Sequence, residues 1–192
     1  MIIDCKTVVL RAIELSDVDF LQEMINDPAI EKMTAGGNFP VSKDRQIQWF
    51  NNYPQQKELR LMIQVKDGAT IGMIMLVNID WRNRTGELME KTKAKLEDRR
   101  PGDVYDAMMG FLNYCFNELG MNCLYGTVLE YNHLSRKLAK KCGLVEEGVL
   151  RQRVFKGGKF HNVITNSVLA EDFNPLYQQY LKERRNERPG KI

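Results

Sequence analysis

The run Arg99-Arg100-Pro101-Gly102-Asp103-Val104 sits immediately before a long amphipathic stretch, where a helix would begin. The first amides of a helix have no partner within it and carry a partial positive charge, so they can hold a phosphate group without side-chain help. Gly102 lets the backbone approach such a ligand closely, and the guanidinium of Arg99 or Arg100 can pair with phosphate oxygens. Pro101 removes one donor, and proline is also an ordinary first-turn residue, so a plain helix start reads equally well. Further on, Asn132 is placed to cap a second helix. Lys137, Lys140 and Lys141 in that helix form either a solvated face or an anion contact.

Other chemistry-bearing residues are less well placed. His133 falls at a helix start, where the dipole disfavours an imidazolium, and His161 stands alone. Cys5, Cys115, Cys123 and Cys142 form no C-x-x-C pair, which predicts buried free thiols and no metal site. Cys142 has no histidine beside it in sequence to make it an acyl-carrying nucleophile. Phe39, Trp49, Tyr53 and Trp81 read as core residues or as the lining of an acceptor pocket.

The elements that must position these groups follow from periodicity. Val8, Leu10 and Ala12 alternate as a first strand. Ser16 is the expected cap of a helix carrying Val18, Leu21 and Ile25, which stops near Asp27-Pro28. Ser42 caps a short helix through Phe50. Two alternating runs, 59–65 and 71–79, flank Asp67-Gly68 and predict a hairpin. Residues 87–96 predict a strand with Lys91, Lys93 and Lys95 as a row of ammonium groups on one face. Helical spacing from Val104 to Leu119, closed by Gly120, is the clearest element. A strand over 123–129, a helix over 134–141 and a hairpin around Gly157-Gly158 complete the order.

That order, with Phe111 to Gly120, Asn132 and Ser135, and Gly143-Leu144-Val145-Glu146-Glu147-Gly148, resembles the cofactor half of the GNAT superfamily of N-acetyltransferases. The family's phosphate motif is Gln or Arg, two residues, Gly, one residue, then Gly or Ala. Arg99 and Gly102 match it and Val104 departs. The resemblance implies an α/β fold, a mixed twisted sheet of six or seven strands with helices on both faces. It implies acetyl-CoA as cofactor, held by Arg99, Arg100, Gly102, Asp103, Val104, Asn132, Ser135 and Lys137. Asn132 would bond the pantetheine arm, Ser135 the phosphate region, and the helix lysines a 3′-phosphate. Many relatives use a tyrosine acid where this chain has Ala139, so the proton for the leaving thiolate would come from Ser135, water or another tyrosine. Glu87, at the start of the central strand, is the implied base, with Glu130 second.

The resemblance leads to an enzyme that transfers an acetyl group to a primary amine of a small molecule. The basic residues Arg82, Arg84, Lys91, Lys93 and Lys95 favour a nucleotide-linked amino sugar as acceptor. The alternatives are a polyamine, a protein N-terminus, or an acyl-CoA-binding relative without catalysis. With 192 residues and a net charge of +3, the chain reads as one domain over 1–181 with a polar basic tail over 182–192. It has no apolar run of membrane-spanning length and no basic-then-apolar leader, which places it in the cytoplasm. A homodimer is allowed, and nucleic acid is not an expected partner.

Overall fold

Strict alternation in the strands divides the interior into two cores. In the third and fourth strands, Leu61, Ile63, Ile74 and Leu76 join one apolar cluster, while Met62, Met73, Met75 and Val77 join the other. Successive side chains of a strand point to opposite faces, so a sheet buried on both sides needs apolar residues at both parities. The computed structural model describes residues 2–36, 39–53, 57–66, 68–93 and 100–186, with side chains followed to residue 183.

The strands are β1 (Ile2–Asp4), β2 (Val8–Arg11), β3 (Leu59–Val65), β4 (Thr70–Asp80), β5 (Thr85–Thr92), β6 (Cys123–Leu129), β7 (Val145–Lys156) and β8 (Lys159–Leu169). They form one mixed sheet of eight strands in the order β1-β2-β3-β4-β5-β6-β8-β7. The strand beyond the expected six or seven is β1, three residues long and too short for an alternation signal. The helices are α1 (Val18–Ile25), α2 (Pro28–Met33), α3 (Lys43–Asn52), α4 (Asp103–Asn113), α5 (His133–Lys141) and α6 (Ala170–Asn186). Leu21 and Met24 of α1 and Trp49 and Phe50 of α3 cover one face of the sheet. Helix α4 and Phe173 and Tyr180 of α6 cover the other, where Phe111 and Phe173 are fully buried. Burial of such a side chain contributes about 1.5–3 kcal/mol.

Local chemistry sets the helix ends. Ser42 Oγ accepts from Arg45 N at 3.3 Å, as expected of a cap. Ser16 is not the cap of α1, because Asp17 takes the key place: it accepts from Glu14 N at 2.8 Å and pairs with Arg11 at 2.7 Å. Helix α1 stops where expected, and Asp27 caps a new helix whose first residue is Pro28. The long amphipathic stretch is α4 followed by a wider turn over Tyr114–Glu118, with Leu119 N bonding Tyr114 O at 3.0 Å. Gly143, at φ 89°, ends α5 by letting Leu144 N reach Ala139 O at 3.0 Å. Helix α6 runs past the expected boundary at 181 to Asn186, and residues 187–192 lie outside the described residues. So does Asp67 of the first hairpin turn. Among the described residues no helix is long and apolar enough to cross a membrane.

Candidate active site

Two neighbouring strands part in the middle of the sheet. β5 and β6 run parallel and pair at Thr85↔Cys123, Gly86↔Leu124 and Glu87↔Tyr125. Beyond that point β5 stays paired to β4 as far as Thr92, and β6 to β8 as far as Leu129, but not to each other. The backbone edge of β5 from Leu88 onward therefore faces the gap with donors and acceptors that the sheet does not use. Gly126 stands at the fork, where a Cβ would come within 3.0 Å of Leu88 O.

A cleft of about 650 Å³ fills the gap. Its walls include Glu87, Glu90 and Lys91 of β5, Asn132, Ser135 and Ala139 around α5, and Arg153 of β7. Thr34, Ala35 and Gly36, after α2, close one side. That segment is tied down by Asn132 Nδ2 donating to Met33 O at 2.9 Å, Tyr131 Oη to Lys32 O at 2.6 Å and Lys156 Nζ to Gly36 O at 3.1 Å. Lys156 also pairs with Glu31.

Glu87 marks the apex of the fork. Asn78 Nδ2 donates to its Oε2 at 2.7 Å. Asn78 reaches it because the register of β4 shifts between Val77 and Asp80, and because its own φ of 50° turns the side chain. Nothing in the alternation of β4 signals this partner. Asn132 is 6% exposed and uses both ends of its amide: Oδ1 accepts from Ser135 N at 3.1 Å, and Nδ2 bonds Met33 O. The expected capping role is thus visible in the geometry.

The structure brings Glu87, Asn132 and Ser135 to one cleft and leaves other expected site residues elsewhere. Glu130 does not line it. Its carboxylate accepts from Asn162 N at 3.0 Å and Asn162 Nδ2 at 2.9 Å. Lys137 lines an adjoining hollow of about 830 Å³ with His133, Arg136 and Lys140 between α5 and β7, which shares Ala139, Leu144 and Asn166 with the cleft. Arg100, Gly102, Asp103 and Val104 lie at the first turn of α4. There Gly102 has φ 102° and open space for 4 Å around the place a Cβ would take, and Val104 is buried at 8% exposure. Asp103 is fully buried; Oδ2 accepts from Arg100 N at 2.7 Å, and Oδ1 has no partner among the described residues. Arg99 lies outside the described residues.

The row of ammonium groups is not a row. Lys93 pairs with Glu23 at 2.7 Å and sits 4.8 Å from the Phe20 ring centroid, because α1 covers that face of the sheet. Lys95 lies outside the described residues, and Arg82 and Arg84 stand exposed in the turn before β5. Of the four described cations in the expected basic group, Lys91 alone lines the cleft, where burial, and then Arg60, push its ammonium pKa down. Among the aromatic candidates, Trp49 and Tyr53 stack on each other at 5.3 Å against the second core. Trp81 and Phe39 are exposed, and none of the four lines the cleft. Burial pushes the Cys142 thiol up to about 12, which removes it as a nucleophile. His161 packs edge-on to Tyr131 outside the cleft.

A fork between parallel strands, a carboxylate at its apex and the start of α5 on its wall can hold an extended amide-bearing ligand and take a proton from a nucleophile beside it. Known proteins resemble this chain in sequence and in fold. A prophage-derived uncharacterised N-acetyltransferase of Bacillus subtilis is 26% identical over 168 residues, covering 85% of this chain and 90% of its own. A candidate ribosomal N-acetyltransferase of the same organism is 25% identical, covering 86% of this chain and 93% of its own. A spermidine N-acetyltransferase of Vibrio cholerae, solved with CoA and spermine, superposes with a TM-score of 0.79 over 87% of this chain and 98% of its own, at 23% identity. The acetyltransferase (GNAT) domain matches residues 7–145, and the chain accordingly belongs to that family, as an acetyl-CoA-dependent N-acetyltransferase.

Proposed function

We propose that the fork between β5 and β6 is the acetyl-transfer site and that Glu87 is its base. Acetyl-CoA supplies an activated thioester carbonyl. The free β5 edge offers backbone amides and carbonyls to the pantetheine amides, Asn132 and Ser135 bound that arm from α5, and the backbone at Arg100, Gly102, Asp103 and Val104 offers the first turn of α4 to the phosphates; Arg99, expected beside them, lies outside the described residues. Lys137 reaches the cofactor from the neighbouring hollow. Glu87 accepts the proton of the incoming ammonium, and Asn78 fixes the carboxylate that does so. Ser135 is a hydroxyl on the cleft wall that can relay a proton from water to the departing thiolate, taking one proton from water as it gives up its own, since Ala139 supplies none. The observation that carries this reading is the position of Glu87 at the last β5–β6 pair, on the cleft wall.

For the acceptor, the cleft itself is the guide. Among the described residues its charged lining is two carboxylates, Glu87 and Glu90, against two cations, Lys91 and Arg153. A polyamine carries several positive charges and needs an acidic site once its water is stripped. A balanced lining suits an acceptor with one ammonium, and the N-terminal amine of a polypeptide is the reading we adopt. A polyamine is second, favoured by Glu87 and Glu90 and by the named activity of the Vibrio relative. The nucleotide-linked amino sugar loses its main support, because Lys93, Arg82 and Arg84 do not reach the cleft. Release of CoA should therefore be measured with a short peptide, spermidine and a nucleotide-linked amino sugar. Glu87→Gln should lower kcat by about 10²-fold with whichever amine is used, while acetyl-CoA binding persists. Unchanged turnover in Glu87→Gln removes the base from this reading.

A further inference from the structure

Strand β7 does not pair evenly with β8. Leu150 faces Val163 and Val154 faces His161, so three residues of β7 (Arg151, Gln152 and Arg153) stand opposite the single residue Asn162. Gln152 takes φ 49°, a left-handed conformation that a non-glycine residue holds only when its surroundings insist. The insistence is visible. Asn162 Oδ1 accepts from Gln152 N at 2.8 Å, and Asn162 is itself held by both oxygens of Glu130. Bulges re-aim side chains. Here the two residues flanking the bulge, Leu150 and Val154, and Arg153 inside it all line the cleft. Among the described residues no carboxylate pairs with Arg153.

We propose that Arg153 is a specificity residue that pairs with an anionic group on the acceptor amine, and that Glu130 and Asn162 are positioning residues that set the bulge presenting it. This rests on the cleft being the acetyl-transfer site. Glu130 lies off the cleft wall, and its carboxylate is used twice by Asn162, so its effect passes through the bulge. Lys91, on the β5 wall, adds a second cation without a partner among the described residues. Together they select an acceptor in which a primary amine and a carboxylate or phosphate belong to one molecule.

The two sources of anion are separated by matched pairs: C-terminally amidated glycyl-aspartyl against C-terminally amidated glycyl-asparaginyl peptide, and glucosamine 6-phosphate against glucosamine, with spermidine as the cationic contrast. The anionic member of at least one pair should have a KM lower by about tenfold, the scale of one charge-assisted hydrogen bond. Arg153→Ala should abolish that preference, raising the KM of the anionic member to that of its partner without the anion. Glu130→Gln and Asn162→Asp should each raise the same KM. The two substitutions combined should restore it, because the amide introduced at position 130 donates to the carboxylate introduced at position 162, which still accepts from Gln152 N. A merely structural role for Glu130 predicts a lower melting temperature with the KM ratio unmoved, and that result overturns the proposal. So does preference for spermidine or the neutral members, or no turnover of any of the five in protein that binds acetyl-CoA. Failure to bind acetyl-CoA at all would instead overturn the reading of the cleft.

Discussion

At the scale of single residues, charge decides which expectations survive. Lys91 and Lys93 share a strand face, as the alternation requires, yet one ends beside the cleft and the other is paired with Glu23. Parity was legible in the sequence; the helix laid over that face was not. The same limit applies to Asp17. As part of a Ser-Asp pair it reads as a residue of a capped helix start, but it is 6% exposed and gripped at both oxygens by Arg11, at 2.7 and 2.8 Å. Burial alone would raise its pKa, but the Arg11 and Glu14 hydrogen bonds outweigh that and hold it below the ordinary 3.8. A carboxyl held low in the folded state contributes its full stability above 3.8, and the contribution is lost as pH falls through the folded value. Asp17→Asn should therefore cost about 2 kcal/mol at neutral pH, with Arg11 left short of a counter-charge. The difference from the wild type should begin to shrink as pH falls below 3.8, where the unfolded carboxyl takes up a proton, and should level off once pH has passed the depressed folded value. Urea unfolding at neutral pH and again well below that value checks both parts; a constant difference would mean the ion pair contributes nothing.

At the scale of elements, the legible parts are those whose signals are local. α4 and α5 follow from helical spacing and closing glycines, and the β7–β8 turn from Gly157 and Gly158, both at positive φ. What was not legible is a relation between elements. No feature of β5 or β6 alone says that they pair for three residues and then part, and the bulge that delivers Arg153 shows only as a register shift against β8. Gly126 offers a test of the fork. A Cβ there would lie 3.0 Å from Leu88 O and 3.3 Å from Asn166 Oδ1, so the two walls cannot keep their spacing around a larger residue. Gly126→Val should weaken acetyl-CoA by about tenfold or more, beyond its effect on folding. Gly102 differs, since a Cβ there meets no protein atom within 4 Å and the demand of the fold on it is conformational, leaving only a bound phosphate for the added carbon to crowd. Gly102→Ala should cost about 1 kcal/mol of stability from backbone strain. Calorimetric titration of both variants at a temperature well below melting separates the two effects. Equal affinity in Gly126→Val and wild type would show that the ligand does not enter the fork.

At the scale of the whole molecule, one buried carboxylate joins segments far apart in sequence. Asp106 of α4 accepts from Thr7 N at 2.7 Å and Val8 N at 3.3 Å, at the turn between β1 and β2, and from the hydroxyl of Tyr180 in α6. Tyr180 also stacks on Tyr177 at 5.6 Å, Tyr177 on Phe173 at 5.4 Å, and Phe173 packs on Phe116 at 5.3 Å. These contacts fasten the last helix to the same α4 whose first turn, just before Asp106, is proposed to meet the cofactor phosphates. The α6 residues that enter the core, Phe173 and Tyr180, fall inside the domain expected over 1–181, and the helix itself continues to Asn186. Tyr180→Phe removes one hydrogen bond to a buried carboxylate and should cost about 1–3 kcal/mol. Asp106→Ala should cost more, since it strands the Thr7 and Val8 amides as well as the tyrosine hydroxyl. The double variant should be less destabilised than the sum, because the residues share one network. If α6 holds α4 in the geometry the cofactor needs, Tyr180→Phe should also raise the KM for acetyl-CoA several-fold at temperatures where the variant is fully folded, with the acceptor KM unchanged. Strictly additive unfolding energies would dissolve the network, and an acetyl-CoA KM equal to that of the wild type would confine the role of α6 to stability.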